Sequence, residues 1–466
     1  MYYPRVTTGP TLSLDLYQLT MAAGYFHAGR AGDIATCEMF VRRLPGARRY
    51  LIAMGLEAVL DYLTSLRFES EHIEAIAAIP SMHAAMTPAF RDYLRAFRFT
   101  GDAFAVDEGT VVFENEPLVR IRAPIIEAQL VETYLLSVIN HATMIASKAS
   151  RIVRAARGKR VIEFGTRRTH PGAAIDAARI AYAVGFAGTS NVEAGVRFGL
   201  PVLGTAAHMW TMAHATEEEA FQNYFTVFPD SSILLIDTYD TREGARRAAA
   251  VVGEKLRGVR IDSGDLAALA RDVRGILDRE GCPDAKIVVS GDLDEHAIAA
   301  LVADAAPIDT FGVGTELVTS GDAPRLSGVY KLVELERNGK RSPVAKFSEG
   351  KSTLPSAHQV LRMCNEDGTL DRDIIMLDRE DSPTLAAGQK SQLLLGMAIQ
   401  DGVRKRAAAT LDEVRARVLA GHASLPENLL SYTPFGAAEA RYPIEVSPAI
   451  TRLVETLRSE HVRGST

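Results

Sequence analysis

Cysteine is scarce in this chain of 466 residues. Cys37, Cys282 and Cys364 stand far apart, without the paired spacing of a zinc site or the close framework of a disulfide-stapled domain. They are expected to be buried or incidental thiols of a reducing compartment. Long apolar runs are missing too: none reaches the length that spans a bilayer. The opening MYYPRVTTGPTLSLDLYQLT has neither the basic start nor the apolar core of a secretion signal. The expectation is a cytoplasmic protein that does not engage membranes. Nor does charge of one sign dominate, because the net charge is -6 with both signs interspersed and the arginine pairs are too sparse for a basic stripe. Nucleic acid is therefore not an expected partner, although local basic spots could hold a small phosphate. There is no low-complexity segment and no internal repeat. The length exceeds one ordinary domain and accommodates a barrel of about 250 residues with additional layers.

Residues 161–214, VIEFGTRRTHPGAAIDAARIAYAVGFAGTSNVEAGVRFGLPVLGTAAHMWTMAH, carry the densest pattern. Three short apolar runs shaped like buried strands are each followed by small, charged or hydrogen-bonding residues: Gly165 to Arg168, Gly188 to Asn191, and Gly204 to His208. The rhythm of strand, polar loop and helix continues, with strands expected at 161–164, 183–187, 201–204, 232–237, 258–262, 285–290 and 308–312. Helical spacing appears at 173–182, 191–199, 241–254, 264–279 and 294–303. Such alternation implies a parallel sheet, which a barrel or a doubly wound sheet would satisfy. The barrel is preferred because every strand ends in a candidate functional loop, whereas an open sheet gathers its site at one switch point.

Before this region, helices are expected at 11–26, 54–66, 70–78, 88–96 and 125–157, with a strand at 34–41 and a small antiparallel sheet after Gly101. In the first helix Leu16, Leu19, Ala23 and Phe26 share a face, and Tyr17 points away from it. After Gly328 the pattern returns to β, with hairpin signals at Asn338-Gly339 and Asp367-Gly368, then helices at 410–421 and 448–462. The expected organisation is an N-terminal α/β segment (1–157), an α/β barrel (158–328), and a β-rich return with closing helices that packs on the N-terminal layer (329–466).

Four loops offer chemistry: VRIDSGDL with Arg260, Asp262 and Asp265; VVSGDLDE with Gly291, Asp292 and Asp294; FGVGTEL with Gly312, Gly314 and Thr315; and GTAAHMW with Thr205 and His208. Glycines beside helix starts let backbone N–H groups approach a phosphate, and the last loops of a barrel are a recurrent phosphate site. Each element also has a plainer reading. Ser263 or Asp265 before an Ala/Leu helix is an ordinary N-cap, and a lone histidine beside an apolar run is often only packed. Together, carboxylates able to hold sugar hydroxyls or Mg²⁺, arginines, glycine loops and a histidine suit a phosphorylated sugar.

The runs DLYQLTMAAGYF, EFGTRRTH, GFAGTSN, GTAAH, LLIDTYDT, VRIDSGDL, FGVGTELVT and GVYKLVE, in this order, resemble nicotinate phosphoribosyltransferase, from Asp15 to about Ser356. The resemblance implies an irregular α/β barrel beside an N-terminal α/β layer, in a homodimer whose sites are completed by the partner chain. It implies an enzyme that joins nicotinate to phosphoribosyl pyrophosphate, giving nicotinate mononucleotide and pyrophosphate for NAD biosynthesis. ATP hydrolysis is coupled through a phosphohistidine, and Mg²⁺ accompanies the pyrophosphate.

By motif, the resemblance implies that His208 is the phosphoacceptor, with Thr205 beside the nicotinate. Phe164 would stack on the pyridine and Arg167 pair with charge near it, while Tyr17 would come from the other subunit. Arg260 and Asp262 would contact substrate phosphate and ribose, and Gly291, Asp292, Gly314 and Thr315 would hold the ribose phosphate. Ser190 stands where the related amide-using enzymes carry an Asp, which implies preference for the acid; Ser190 capping the next helix is the plainer alternative. Departures are Met209 and Trp210 where a Ser often follows the histidine, and Ser356, Ala357 and His358 where a Gly and a basic residue are common. The latter leaves open whether Lys346 and Lys351 reach phosphate. The cysteine-rich terminal module of some members is not expected here. A phosphoribosyltransferase for nicotinamide or quinolinate, and a silent nucleotide-binding member, are the competing readings.

Overall fold

The computed structural model describes residues 9–348, 351–432 and 441–463. Contacts divide the chain into two compact units, Met1–Thr143 with Arg325–Thr466, and Met144–Pro324. The division falls inside the helix Glu132–Ala155 rather than at its end, where the sequence suggested a break.

The first unit is built on a seven-stranded antiparallel sheet in the order Lys340–Pro343, Gly328–Arg337, Ile34–Val41, Pro117–Pro124, Asp102–Ala105, Gly396–Gln400, Val403–Arg404. The return strand Gly328–Arg337 lies beside Ile34–Val41 in antiparallel register. The Asn338-Gly339 hairpin follows, both residues having positive φ (51° and 74°), as the turn demands. The small sheet expected after Gly101 does not stand alone. Asp102–Ala105 and Pro117–Pro124 are neighbours within the large sheet, while Val111–Val112 pairs with Leu51–Ile52. The expected helix at 125–157 is two helices, Ile125–Leu130 and Glu132–Ala155. A four-stranded sheet adds Lys390–Leu393, His358–Cys364, Leu370–Leu377 and Ile444–Val446.

The helix Leu16–His27 begins at Asp15, which forms a reciprocal capping box with Gln18. Leu19, Ala22 and Ala23 are buried, but Leu16, expected on the same face, is exposed together with Tyr17.

The second unit holds six parallel strands in the order Gly188–Thr189, Arg160–Glu163, Thr310–Val313, Lys286–Val289, Gly258–Ile261, Ile233–Leu235. The first strand in sequence, Arg160–Glu163, pairs with the last, Thr310–Val313. That closure is what a barrel requires and what distinguishes it from a doubly wound sheet. Beyond Gly188–Thr189 a single parallel bridge reaches Val202, and among the described residues no ladder joins Val202 to Ile233–Leu235. The barrel is therefore irregular and open along one seam.

Two sequence expectations fail around that seam. The run at 183–187 is no strand: the helix Pro171–Val184 continues into it and ends at Gly185 (φ 137°), leaving only Gly188–Thr189 extended. Residues 201–204 contribute one bridge, and two helices absent from the sequence expectations, His208–Met212 and Glu217–Val227, follow. Cys37 and Cys282 are buried and all three thiols are free. Among the described residues no helix is long and apolar enough to cross a membrane.

Candidate active site

Residues just past the ends of parallel barrel strands share one rim. Here they are Phe164, Ser190, Asp237, Asp262, Ser290 and Gly314. Arg260, on the strand Gly258–Ile261, organises the group. Its Nε donates to Ser290 Oγ at 2.7 Å, its Nη1 to Thr205 Oγ1 at 2.9 Å, and its Nη2 to Asp262 Oδ1 at 2.7 Å. Ser290 also donates to the same Asp262 oxygen at 2.5 Å. Planar, permanently charged arginine suits such a hub, since its donors radiate in fixed directions. The guanidinium carbon lies 5.3 Å from the centre of the Phe164 ring, within cation–π range.

Glycines make room for this arrangement. A Cβ on Gly312 would lie 2.4 Å from the Phe164 ring, and one on Gly291 would lie 2.2 Å from the Asp262 carbonyl oxygen. Gly291 has φ 98° and Asp292 φ 46°, so two successive left-handed residues shape the exposed turn. Gly314 sits beside the Phe164 carbonyl, and Thr315 opens the helix Thr315–Thr319. Asp265 and Asp294 prove to be N-caps, accepting from Ala268 N and Ala297 N.

His208 begins the helix His208–Met212 in the seam. Its Nδ1 lies 3.1 Å from Thr238 Oγ1, and its Nε2 lies 4.0 Å from both Asp237 Oδ1 and Asp262 Oδ2. Asp237 is the residue that sequence reasoning missed. Its Oδ2 accepts from Asp262 N at 2.9 Å and Ser263 Oγ at 2.8 Å. Its Oδ1 is buried without a hydrogen-bond partner. The signal was present, because LLIDTYDT and VRIDSGDL both end a strand in Ile-Asp. Neighbouring register, Leu235 opposite Arg260, then sets the two aspartates side by side.

Beneath the rim, Glu163 accepts from Thr189 Oγ1 at 2.5 Å and from the Gly165 backbone N–H. Burial pushes its carboxyl up, and those two donors oppose the shift. Ser190 N donates to the Glu163 carbonyl at 2.9 Å. The following helix is capped by Asn191, whose Oδ1 accepts from Ala194 N at 2.9 Å, so the helix-capping alternative for Ser190 is set aside.

Two family profiles match the chain: the nicotinate phosphoribosyltransferase N-terminal domain over residues 12–140, and the nicotinate phosphoribosyltransferase family over residues 159–366. The nicotinate phosphoribosyltransferase pncB2 of Mycobacterium tuberculosis (strain ATCC 25618 / H37Rv) is 40% identical over 454 residues, covering 96% of this chain and 94% of that protein. The chain belongs to the nicotinate phosphoribosyltransferase family. The nicotinate phosphoribosyltransferase of Bacillus subtilis (strain 168) is 43% identical over 365 residues, 76% of this chain and 74% of its own length. The crystal structure of human nicotinic acid phosphoribosyltransferase matches with a TM-score of 0.84 at 27% identity, covering 95% of this chain and 99% of that one.

For this family member the structure thus joins His208, Thr205, Arg260, Asp262 and Phe164 in one cluster, with the Gly291–Asp292 and Gly314–Thr315 loops on the same rim. Arg167 lies on the exposed loop after Phe164 and Ser190 is half-buried past the next strand. Tyr17, Lys346 and Lys351 belong to the other compact unit. Tyr17's phenol is pushed up to about 12 by burial and then by neighbouring Glu132.

The departures from the family pattern are accommodated. Ser356 keeps the left-handed backbone (φ 75°) that glycine would favour, its hydroxyl donating to Glu334 at 3.1 Å. His358 is buried against Glu38 at 2.7 Å. Trp210 donates to the Ala220 carbonyl at 3.0 Å, tying the His208 helix to Glu217–Val227. His214 is held to the Trp210 carbonyl at 2.7 Å.

Proposed function

We propose that this chain transfers the phosphoribosyl group of phosphoribosyl pyrophosphate to nicotinate, forming nicotinate mononucleotide and pyrophosphate in NAD biosynthesis, and couples the transfer to ATP hydrolysis through His208. The observation that carries the reading is His208 poised between Asp237 and Asp262, with Asp262 held by Arg260 and Ser290.

Glycosyl transfer builds positive charge on the ribose as pyrophosphate departs. Fixed carboxylates stabilise that charge by preorganised electrostatics, and this reading assigns the task to Asp262, held by Arg260 and Ser290, with Asp292 on the neighbouring loop. Gly291 and Gly314 offer backbone N–H groups to the ribose phosphate, and Thr315 offers its hydroxyl. Phe164, backed by Arg260, presents an aromatic face to the pyridine ring, and Arg167 and Ser190 meet its carboxylate with attraction and without repulsion.

Carboxylates facing Nε2 favour the tautomer with the proton there, which leaves Nδ1 nucleophilic. Nδ1 then attacks the γ-phosphorus of ATP, ADP leaves, and water later hydrolyses the phosphohistidine to free phosphate and the original imidazole. The phosphoryl charge raises affinity for the sugar substrate in the interval.

The donor set suits Mg²⁺. The Asp237 oxygen is buried and unpartnered, and Asp262 presents a second hard oxygen nearby. Among the described residues no cluster of three or more metal-ligating side chains exists, so these two carboxylates would share the ion with substrate oxygens. Bound there, Mg²⁺ would neutralise charge on the departing pyrophosphate.

A homodimer with shared sites and a cytosolic location complete the proposal. Exposed Tyr17, and the exposed apolar side chains Val192, Val196, Val202, Met209 and Met212, support a partner chain. Thermal shift tests the substrate assignment. Nicotinate with phosphoribosyl pyrophosphate should raise the melting temperature above either alone, and above nicotinamide or quinolinate with the same sugar. A larger shift with quinolinate or nicotinamide would reassign the pyridine.

A further inference from the structure

Lys148 lies on the helix Glu132–Ala155 with its side chain 1% exposed, and its ammonium faces three carboxylates. Glu295 is at 2.6 Å, Asp322 at 3.1 Å and Glu316 at 3.8 Å. Arg151, one turn along, donates Nε to the other Glu295 oxygen at 2.6 Å. Glu295 is fully buried and is the first residue of the helix Glu295–Ala303, directly after the turn through Gly291, Asp292 and the cap Asp294. Glu316 is in the first turn of the helix after Gly314, and Asp322 lies just past that helix. A Cβ on Gly321 would come within 2.3 Å of Glu316 Oε2, so the Glu316 carboxylate is closely packed. The strands feeding the two loops are neighbours, with Val288 opposite Thr310.

A buried ion pair contributes little net stability compared with apolar packing, because desolvation offsets the attraction; its more specific use is to fix geometry. Here one ammonium is shared between groups that follow two separate loops. Burial alone would raise the Glu295 carboxyl, but Lys148 and then Arg151 outweigh it and hold it below its ordinary value. Glu295 is therefore held as a carboxylate between the two cations.

We propose that Lys148 is a positioning residue for the sugar-phosphate cradle, locking the Gly291–Asp292 loop and the Gly314–Thr315 loop to one helix and so fixing their spacing. It rests on the reading that these loops hold the ribose phosphate. A phosphate gripped from both loops senses small changes in that spacing directly, whereas the pyridine, stacked on Phe164, meets only the Gly312–Gly314 side and senses them less.

The test is steady-state kinetics on the full-length protein, with melting curves, for Lys148→Met, Lys148→Arg, the Glu316→Gln/Asp322→Asn pair, and Thr315→Ala. Lys148→Met should raise KM for phosphoribosyl pyrophosphate about tenfold while KM for nicotinate stays within about twofold. Lys148→Arg should recover most of the loss, because it restores the charge. If Lys148→Met does not fold, the carboxylate pair decides, since its groups are partly exposed and releasing one loop should raise the same KM about threefold. Equal shifts in both KM values, or a fall in kcat alone, would reduce Lys148 to a structural role and overturn the proposal. Thr315→Ala separates the two levels. If it raises KM for the sugar and the Lys148 and carboxylate variants do not, the positioning role fails by itself; if it is silent, the phosphate-loop reading fails and the proposal falls with it.

Discussion

Asp237 accepts the backbone N–H of Asp262 at 2.9 Å with one carboxylate oxygen and leaves the other buried, unpartnered and 4.0 Å from Nε2 of His208. One residue thus anchors the Asp262 loop and faces the imidazole. Asp237→Asn keeps an oxygen for the anchoring bonds but removes the charge, so the fold should persist. Turnover should fall at least about tenfold, the scale of losing one preorganised electrostatic partner, and half-maximal activity should need more Mg²⁺. Titration of activity against Mg²⁺ checks this, and an unchanged curve would remove Asp237 from the site.

His208→Ala should abolish stimulation by ATP and leave a slow ATP-independent transfer, since in the proposed scheme the histidine would couple energy without breaking the glycosidic bond. Rapid-quench labelling from γ-labelled ATP should mark the wild type and spare the variant. Labelling of both would move the phosphoacceptor elsewhere. His214, engaged with the Trp210 carbonyl, is the next imidazole to examine.

Ser190 follows the strand Gly188–Thr189 and is tied by its backbone to the Glu163 carbonyl. An aspartate there would add negative charge facing the nicotinate carboxylate, a penalty of about 2 kcal/mol or more in a buried site. Ser190→Asp should lower kcat/KM for nicotinate more than for nicotinamide. Equal values before and after would leave acid preference to other groups.

Tyr17 lies on an exposed stretch of the helix Leu16–His27, in a different compact unit from His208. Chains carrying Tyr17→Ala mixed with chains carrying Asp262→Ala should regain activity as subunits exchange, because hybrids of the proposed dimer would contain one intact site. No recovery after verified exchange would mean that each site is made by a single chain.

The barrel was legible because its strands are short runs of Ile and Val ending in Asp or Gly, and those endings supplied Arg260, Asp262, Gly291 and Gly314. Residues 183–187 misled because a continuous apolar run of that length fits the last turn of a buried helix as well as a strand. Glu217–Val227 carried a readable start, Thr216 before three acidic residues, with its hydroxyl accepting from Glu219 N at 3.2 Å. Asp237 needed what a linear pattern does not contain: the register that sets Leu235 opposite Arg260 and so brings two Ile-Asp ends together. Lys148 was hidden for the same reason, since its carboxylate partners lie far along the chain.

Product analysis after incubation with nicotinate, phosphoribosyl pyrophosphate and Mg²⁺, with and without ATP, tests the central claim most directly. Nicotinate mononucleotide and pyrophosphate should form in a one-to-one ratio, faster and further with ATP, with ADP and phosphate released alongside. Absence of the mononucleotide under both conditions, or its formation from quinolinate instead, would contradict the account.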